Sequence, residues 1–415
     1  MLPDIVVGRG PEDLERYGSE GTAFIGRHLV GTGEDVHLTN RILMDVLRPH
    51  VILVTGKRGS GKSYTGAVIV EELLDMKEEV RNRLCSVLVD TMGIFWSMRN
   101  PNEREISLLS KWGLKPEGYP VRVFVPAGFA RTYEKSGIPF EGLLAVKPSE
   151  LGAADWAYAF NLDLNHPLGI LLERVIGSME GDYTVDDIIS RIERDTRSSS
   201  REKMALVNRF SAARTWGIFS EEGTRIEDLL VPGSASVLDF SLQEPSVRNL
   251  LLGILAKKIY SARVAARKEE EIALMEGGKT RKVPMVWLVI DEAHQFVPSE
   301  GSTPASDPLL TLVTQGRHPG ISCVFITQRP NKLHETVISQ ADLVISHRLT
   351  AKADLDALGS VMQTYLLEDI RKSISRLPKT KGSGLILDDN SERLYKIQVR
   401  PRKSWHAGES PVAVG

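Results

Sequence analysis

Residues Gly56-Lys57-Arg58-Gly59-Ser60-Gly61-Lys62-Ser63, followed by Tyr64, have the types and spacing needed to hold a chain of phosphates. They fit the pattern GxxxxGK[ST]. In that pattern glycines let the backbone wrap the phosphates closely, and N–H groups at a helix start face the negative charge. Lys62 then reaches the β- and γ-phosphates, and the Ser63 hydroxyl is a ligand for Mg²⁺. The flanking sequence is what the pattern requires. Val51-Ile52-Leu53-Val54 reads as a buried strand before the loop, and the apolar run through Val70 reads as a helix after it. The expectation is a nucleoside triphosphate site, with Gly56 to Tyr64 as its contacting residues.

A second set of chemistry-bearing residues lies downstream. Val286–Ile290 reads as a buried strand that ends in Asp291 and Glu292. Asp291 is expected to complete the Mg²⁺ shell, and Glu292 to orient and polarise the water that attacks the γ-phosphate. The next buried strand, Ser322–Thr327, carries Gln328 at its C-terminal tip, the edge where open α/β sheets bind ligands. A surface glutamine is equally common in general, but the neighbouring carboxylates favour a sensor of the γ-phosphate. Arg317 closes a helix expected over Asp307–Gly316. Two readings of it stand level on physical grounds. It can project away from its own loop to a neighbouring subunit's nucleotide as an arginine finger, or cap the carbonyls of its own helix.

Several related chemistries are disfavoured. Asp291-Glu292-Ala293-His294 spells a helicase motif, yet Arg317 follows Asp291 by only 26 residues, inside the same sheet unit rather than in a second lobe. His294 is therefore expected to support or pack. Asn331-Lys332-Leu333-His334 lacks the aspartate of a guanine-specifying loop, which favours ATP over GTP, and no LSGGQ-like signature is present. A small-molecule kinase is the weakest alternative, since no separate acceptor site is visible.

Composition bounds the partners. Lys+Arg (52) nearly balances Asp+Glu (54), so any nucleic-acid contact requires locally concentrated positive charge. Two candidate clusters are Arg194/Arg197/Arg201/Lys203 and Lys279/Arg281/Lys282. Each also fits a solvated loop. Cys85 and Cys323 fall in or beside buried strands and are expected as core thiols in a reducing compartment. No apolar run approaches the roughly 20 residues that span a membrane, and no signal-peptide pattern opens the chain. A cytoplasmic location is the expectation.

To position these residues, strands must alternate with helices, which implies an α/β fold with a mostly parallel sheet. The layout divides into a short β lead-in (1–47), a first half of the core (48–139), a helical insertion (140–232), a second half of the core (233–400) and a tail (401–415). Trp405-His406 reads as a packing or subunit-contact feature.

The combined pattern resembles the HerA/FtsK superfamily of ring-forming ATPases, and HerA most closely. The matching segments are Arg48–Thr65, Leu88–Gly93, Trp287–Phe296, Gln315–Pro330, Thr336–Gln340, His347–Leu349 and Arg400–Arg402. The resemblance runs over residues 20–405, although the helical middle is similar in layout only. It implies a RecA-like P-loop NTPase core and a hexameric ring that hydrolyses ATP to move double-stranded DNA through a central channel. It further implies work alongside a nuclease or other effector protein. Residues matching Lys62, Ser63, Asp291 and Glu292 serve catalysis in that superfamily, Gln328 matches its sensor, and Arg317 matches its trans arginine finger. Two departures stand out. Only about 50 residues precede the loop, so the N-terminal β-barrel of resection-type relatives is expected to be absent or reduced. Ile94-Phe95 also replaces the superfamily's acidic-aromatic pair, which leaves its usual nuclease partner unsupported. The alternative function is a scaffold ATPase whose nucleotide-dependent ring recruits and gates an effector without processive movement on DNA.

Overall fold

The computed structural model describes residues 3–31, 35–277, 283–349, 351–359 and 373–408. Among them are thirteen strands: β1 (Ile5–Val7), β2 (Thr22–Val30), β3 (His37–Asp45), β4 (Val51–Thr55), β5 (Leu84–Asp90), β6 (Arg122–Pro126), β7 (Gly142–Leu144), β8 (Ala235–Asp239), β9 (Met285–Ile290), β10 (Ile321–Thr327), β11 (Leu343–His347), β12 (Ser383–Asp388) and β13 (Arg393–Val399). They form one mixed sheet in the order β1-β3-β2-β13-β12-β11-β4-β10-β9-β5-β8-β6-β7. The eight strands from β11 to β7 are mutually parallel. β12, β13, β2 and β3 continue the sheet antiparallel.

The central strands are apolar throughout because both their faces are covered, as parallel sheets require. Their alternation sorts residues into two cores. Ile52, Val54, Leu88, Val289, Val324 and Ile326 pack on one face, against Ala67–Val70 of the helix Lys62–Leu74. Leu53, Val87, Val89, Leu288, Ile290 and Phe325 pack on the other. That second face is covered by the long helix Pro245–Met275, the helix Ser306–Gln315 and the helices between Ala153 and Ala213. Trp156 anchors the middle helices, with its ring 4.7 Å from that of Phe210 and 5.4 Å from that of Phe160. Gly66 sits inside the loop helix because a Cβ there would lie 2.5 Å from Ile326 Cδ1, so helix and β10 approach too closely for a side chain.

Several elements depart from the sequence expectation. The lead-in holds β1 and a helix, Pro11–Tyr17, that no pattern announced, and its strands belong to the main sheet. β7 falls inside the stretch read as helical. The last strand returns to β2, placing Arg400 beside the loop helix. There the fully buried Arg400 donates to Glu71 and Glu72, each at 2.8 Å. Lys203 donates to the carbonyls of Glu193 and Asp195, at 3.1 and 3.0 Å, so part of the first basic cluster caps a helix end. Lys279, Arg281 and Lys282 lie outside the described residues. Cys85 and Cys323 are buried free thiols. Among the described residues no helix is long and apolar enough to cross a membrane.

Candidate active site

β4 delivers the chain to Gly56, and the helix opens at Lys62 from Gly61, whose left-handed φ of 109° suits glycine. The loop between them leaves Lys57, Arg58 and Gly59 exposed and Lys62 buried. The Lys62 ammonium donates to the carbonyl of Lys57 at 3.2 Å. Burial pulls its pKa below the ordinary lysine value, against the attraction of Glu292 and Asp291.

β9 and β10 bring the acidic half alongside. The Ser63 hydroxyl donates to the Asp291 carboxylate at 3.1 Å, joining loop and carboxylate from positions 228 residues apart. Both contacting groups are hard oxygen donors of the kind Mg²⁺ prefers, and their adjacency fits that ion. Burial raises the pKa of Glu292, and Asp291 raises it further. Gln328 Nε2 donates to Glu292 Oε2 at 3.4 Å. His294 Nδ1 lies 3.5 Å from the same carboxylate and 3.0 Å from Thr327 Oγ1. Burial, then Arg329 and Lys62, hold His294 below its ordinary pKa, so it is neutral near pH 7. Glu292 itself has φ 52°, which is unusual for a non-glycine residue.

Arg317 is not part of this cluster. It precedes β10, whereas the loop follows β4, and the two strands are parallel. A strand of seven residues therefore separates Arg317 from the loop level by about 20 Å. Its side chain is 59% exposed and pairs with Asp342 at 3.1 Å rather than capping its own helix. Asp342 also accepts from Val51 N at 2.9 Å and from His50 Nδ1 at 2.7 Å, and His50 Nε2 contacts Asp45 at 3.2 Å.

Sequence reasoning assigned no role to the residues beneath the loop. Arg348 O accepts from Lys57 N at 2.9 Å, and Ser60 O accepts from Gly382 N at 3.1 Å. His347 is fully buried between Thr65 and Ser383. Its place at the tip of the strand beside β4 was the available signal. Tyr64 accepts from Arg402 N at 2.6 Å and lies edge-on to His406 at 5.4 Å, so the segment after β13 packs on the loop's own helix.

A parallel sheet with a phosphate loop after one strand, and a carboxylate pair two strands away across β10, defines a RecA-like P-loop ATPase. The family described as "Helicase HerA, central domain" matches residues 23–259, more than half of the 415 residues, and the chain belongs to that family. Residues 251–396 match the family described as "Zonular occludens toxin (Zot)". The chain is 22% identical over 402 residues to the DNA double-strand break repair helicase HerA of Sulfurisphaera tokodaii. That alignment covers 96% of this chain and 73% of the relative. It is 24% identical over 165 residues to the protein of the same name from Pyrococcus furiosus, covering 36% and 30% respectively. VirB4 of Thermoanaerobacter pseudethanolicus shares the fold, with TM-score 0.59 at 12% identity, over 93% of this chain and 97% of that one. The chain is thus an ATPase of the HerA/FtsK superfamily.

Proposed function

We propose that this chain is a ring-forming, ATP-driven translocase of double-stranded DNA, hexameric and working with a nuclease or other effector protein. The reading is carried by the alignment of 96% of the chain with a relative named as a DNA double-strand break repair helicase. The distance between Arg317 and its own loop is consistent with the ring, because an arginine placed there is out of reach of its own nucleotide and exposed enough to meet a neighbouring subunit's. Residues 48–139 and 233–400 act as two halves of one core, with 140–232 inserted between them, 1–47 leading in and 401–415 as a tail.

In this reading Gly56 to Tyr64 bind ATP, and Lys62 balances charge on the β- and γ-phosphates. Ser63 and Asp291 hold Mg²⁺, which when bound neutralises phosphate charge. Glu292 orients the attacking water and accepts its proton, while Gln328 holds the Glu292 carboxylate and registers the γ-phosphate. Arg317 leaves Asp342 on assembly and stabilises the charge that develops at the neighbouring site.

Two measurements test this. ATP hydrolysis by the purified chain is expected to rise with duplex DNA, and binding to duplex is expected to weaken steeply with salt. Hydrolysis indifferent to DNA, together with a stable complex with an effector, would support the scaffold ATPase instead. Arg317→Ala and Lys62→Ala chains, each inactive alone, are expected to regain turnover when mixed. No recovery at any ratio counts against Arg317 acting across subunits.

A further inference from the structure

We infer that His347 is a positioning residue for nucleotide binding: its neutral ring clamps the first turn of the loop helix to the start of β12 and keeps the phosphate loop in its binding form. The inference rests on the reading of Gly56–Tyr64 as the ATP site.

β11 pairs with β4 in the register Ser346↔Thr55, so His347 and Gly56 leave the sheet side by side. A Cβ on Gly56 would stand 2.6 Å from His347 Cβ, which means the loop backbone lies directly on this residue. His347 Nδ1 is 3.0 Å from the carbonyl of Ser383, which can only accept, so Nδ1 carries the proton. In the neutral ring Nε2 is then an acceptor, and the Thr65 hydroxyl donates to it at 2.8 Å. Burial lowers the ring's pKa, the Ser383 bond opposes this and Lys62 adds to the lowering, so it falls to about 4. The ring therefore adds no charge beneath the loop.

Gly61 O, 3.0 Å from Thr65 Oγ1, competes for the same hydroxyl hydrogen, so Thr65 shares that hydrogen between the carbonyl and His347. The Lys57–Arg348 and Ser60–Gly382 backbone bonds hold the same loop from the same side. Glycines at 56, 59 and 61 make the free loop conformationally loose, and a loop held in place before ATP arrives loses less entropy on binding. A buried histidine serving only the core would have its two bonds as well. It would not lie against the loop's first glycine and hold the loop helix at the same time.

Asparagine and glutamine separate the two arms. Asparagine reaches the Ser383 carbonyl and loses Thr65, whereas glutamine reaches Thr65 and loses Ser383. Titration of the full chain with a non-hydrolysable ATP analogue, alongside steady-state kinetics and thermal melting, reads the difference. His347→Asn and Thr65→Val are expected to raise Kd and KM about tenfold while kcat changes less than about threefold. His347→Gln, which keeps Thr65 but releases Ser383, is expected to raise Kd as well, since the clamp needs both ends. His347→Ala combined with Thr65→Val should be no worse than His347→Ala alone, because the alanine has already removed the contact that the valine removes. Affinities within about twofold of the parent in every variant overturn the clamp. So do multiplying effects of the two changes, or losses confined to Tm or kcat. If His347→Ala does not fold, the asparagine, glutamine and valine variants decide alone. A parent chain that binds no ATP overturns the site reading with the clamp. A parent that binds and hydrolyses ATP, with unaltered variants, overturns the clamp only.

Discussion

Glu292 combines an unfavourable backbone with a carboxylate held beside Gln328 and His294. A non-glycine residue at φ 52° costs on the order of 1 kcal/mol, and such strain persists where the surrounding structure over-determines it. Glu292→Gln keeps the shape and removes the base, so kcat is expected to fall on the order of 10²-fold or more with ATP affinity retained. Glu292→Gly should lose as much activity yet melt higher, since glycine relieves the strain. A calorimetric scan beside an ATPase assay checks both, and a glycine variant that melts lower removes the strain argument. At this scale the sequence is largely legible. Lys62, Ser63, Asp291, Glu292 and Gln328 can be placed from sequence because each stands at the end of a recognisable strand or the start of a helix, and the structure sets Ser63 beside Asp291 and Gln328 beside Glu292. The Arg317–Asp342 pair does not, because neither position has a local pattern that names its partner.

Two elements are held by buried charge rather than by apolar packing alone. His50, at the foot of β4, is fully buried between Asp342 and Asp45. Burial pushes its pKa down, but the two carboxylates outweigh this and raise it to about 9. With an ordinary value of 6.5, its contribution to stability is complete below pH 6.5 and is lost as pH rises through 9. Melting scans are expected to show Tm falling by a few degrees over that interval, and His50→Gln should flatten the fall. An unchanged slope in the variant removes His50 as the cause. At the other element, Arg400 bridges Glu71 and Glu72 of the loop helix, and Glu71 also accepts from the backbone N–H groups of Lys403 and Ser404. Removing Arg400 takes the paired cation from Glu72, whereas Glu71 keeps Arg402 at 3.6 Å, so Arg400→Met should cost about 3–5 kcal/mol in chemical denaturation. The addition of Glu72→Gln should recover part of that loss. Neither network was readable in advance. Periodicity marks which residues are buried, but a glutamate inside an apolar helix gives no sign that its partner lies 329 positions away.

For the whole molecule, the parallel centre of the sheet followed from strands alternating with helices, and its antiparallel extension did not. β2 and β3 are neighbours in sequence, but the return of β13 to β2 joins the two ends of the described chain, a pairing that local sequence does not encode. If each site borrows Arg317 from a neighbour, turnover per chain is expected to fall when the protein is diluted below ring assembly. ATPase assays across a dilution series, with mass measured in parallel, check this. Turnover that stays constant down to the monomer argues for a self-sufficient site. The β2–β13 seam and the Arg400 bridge also impose an order on the birth of the protein. The ATP loop is synthesised early, but the carboxylates of its own helix stay unpaired until the last strand has been made and has crossed back to β2. The phosphate loop therefore leaves the ribosome long before the segment that neutralises the carboxylates of its own helix.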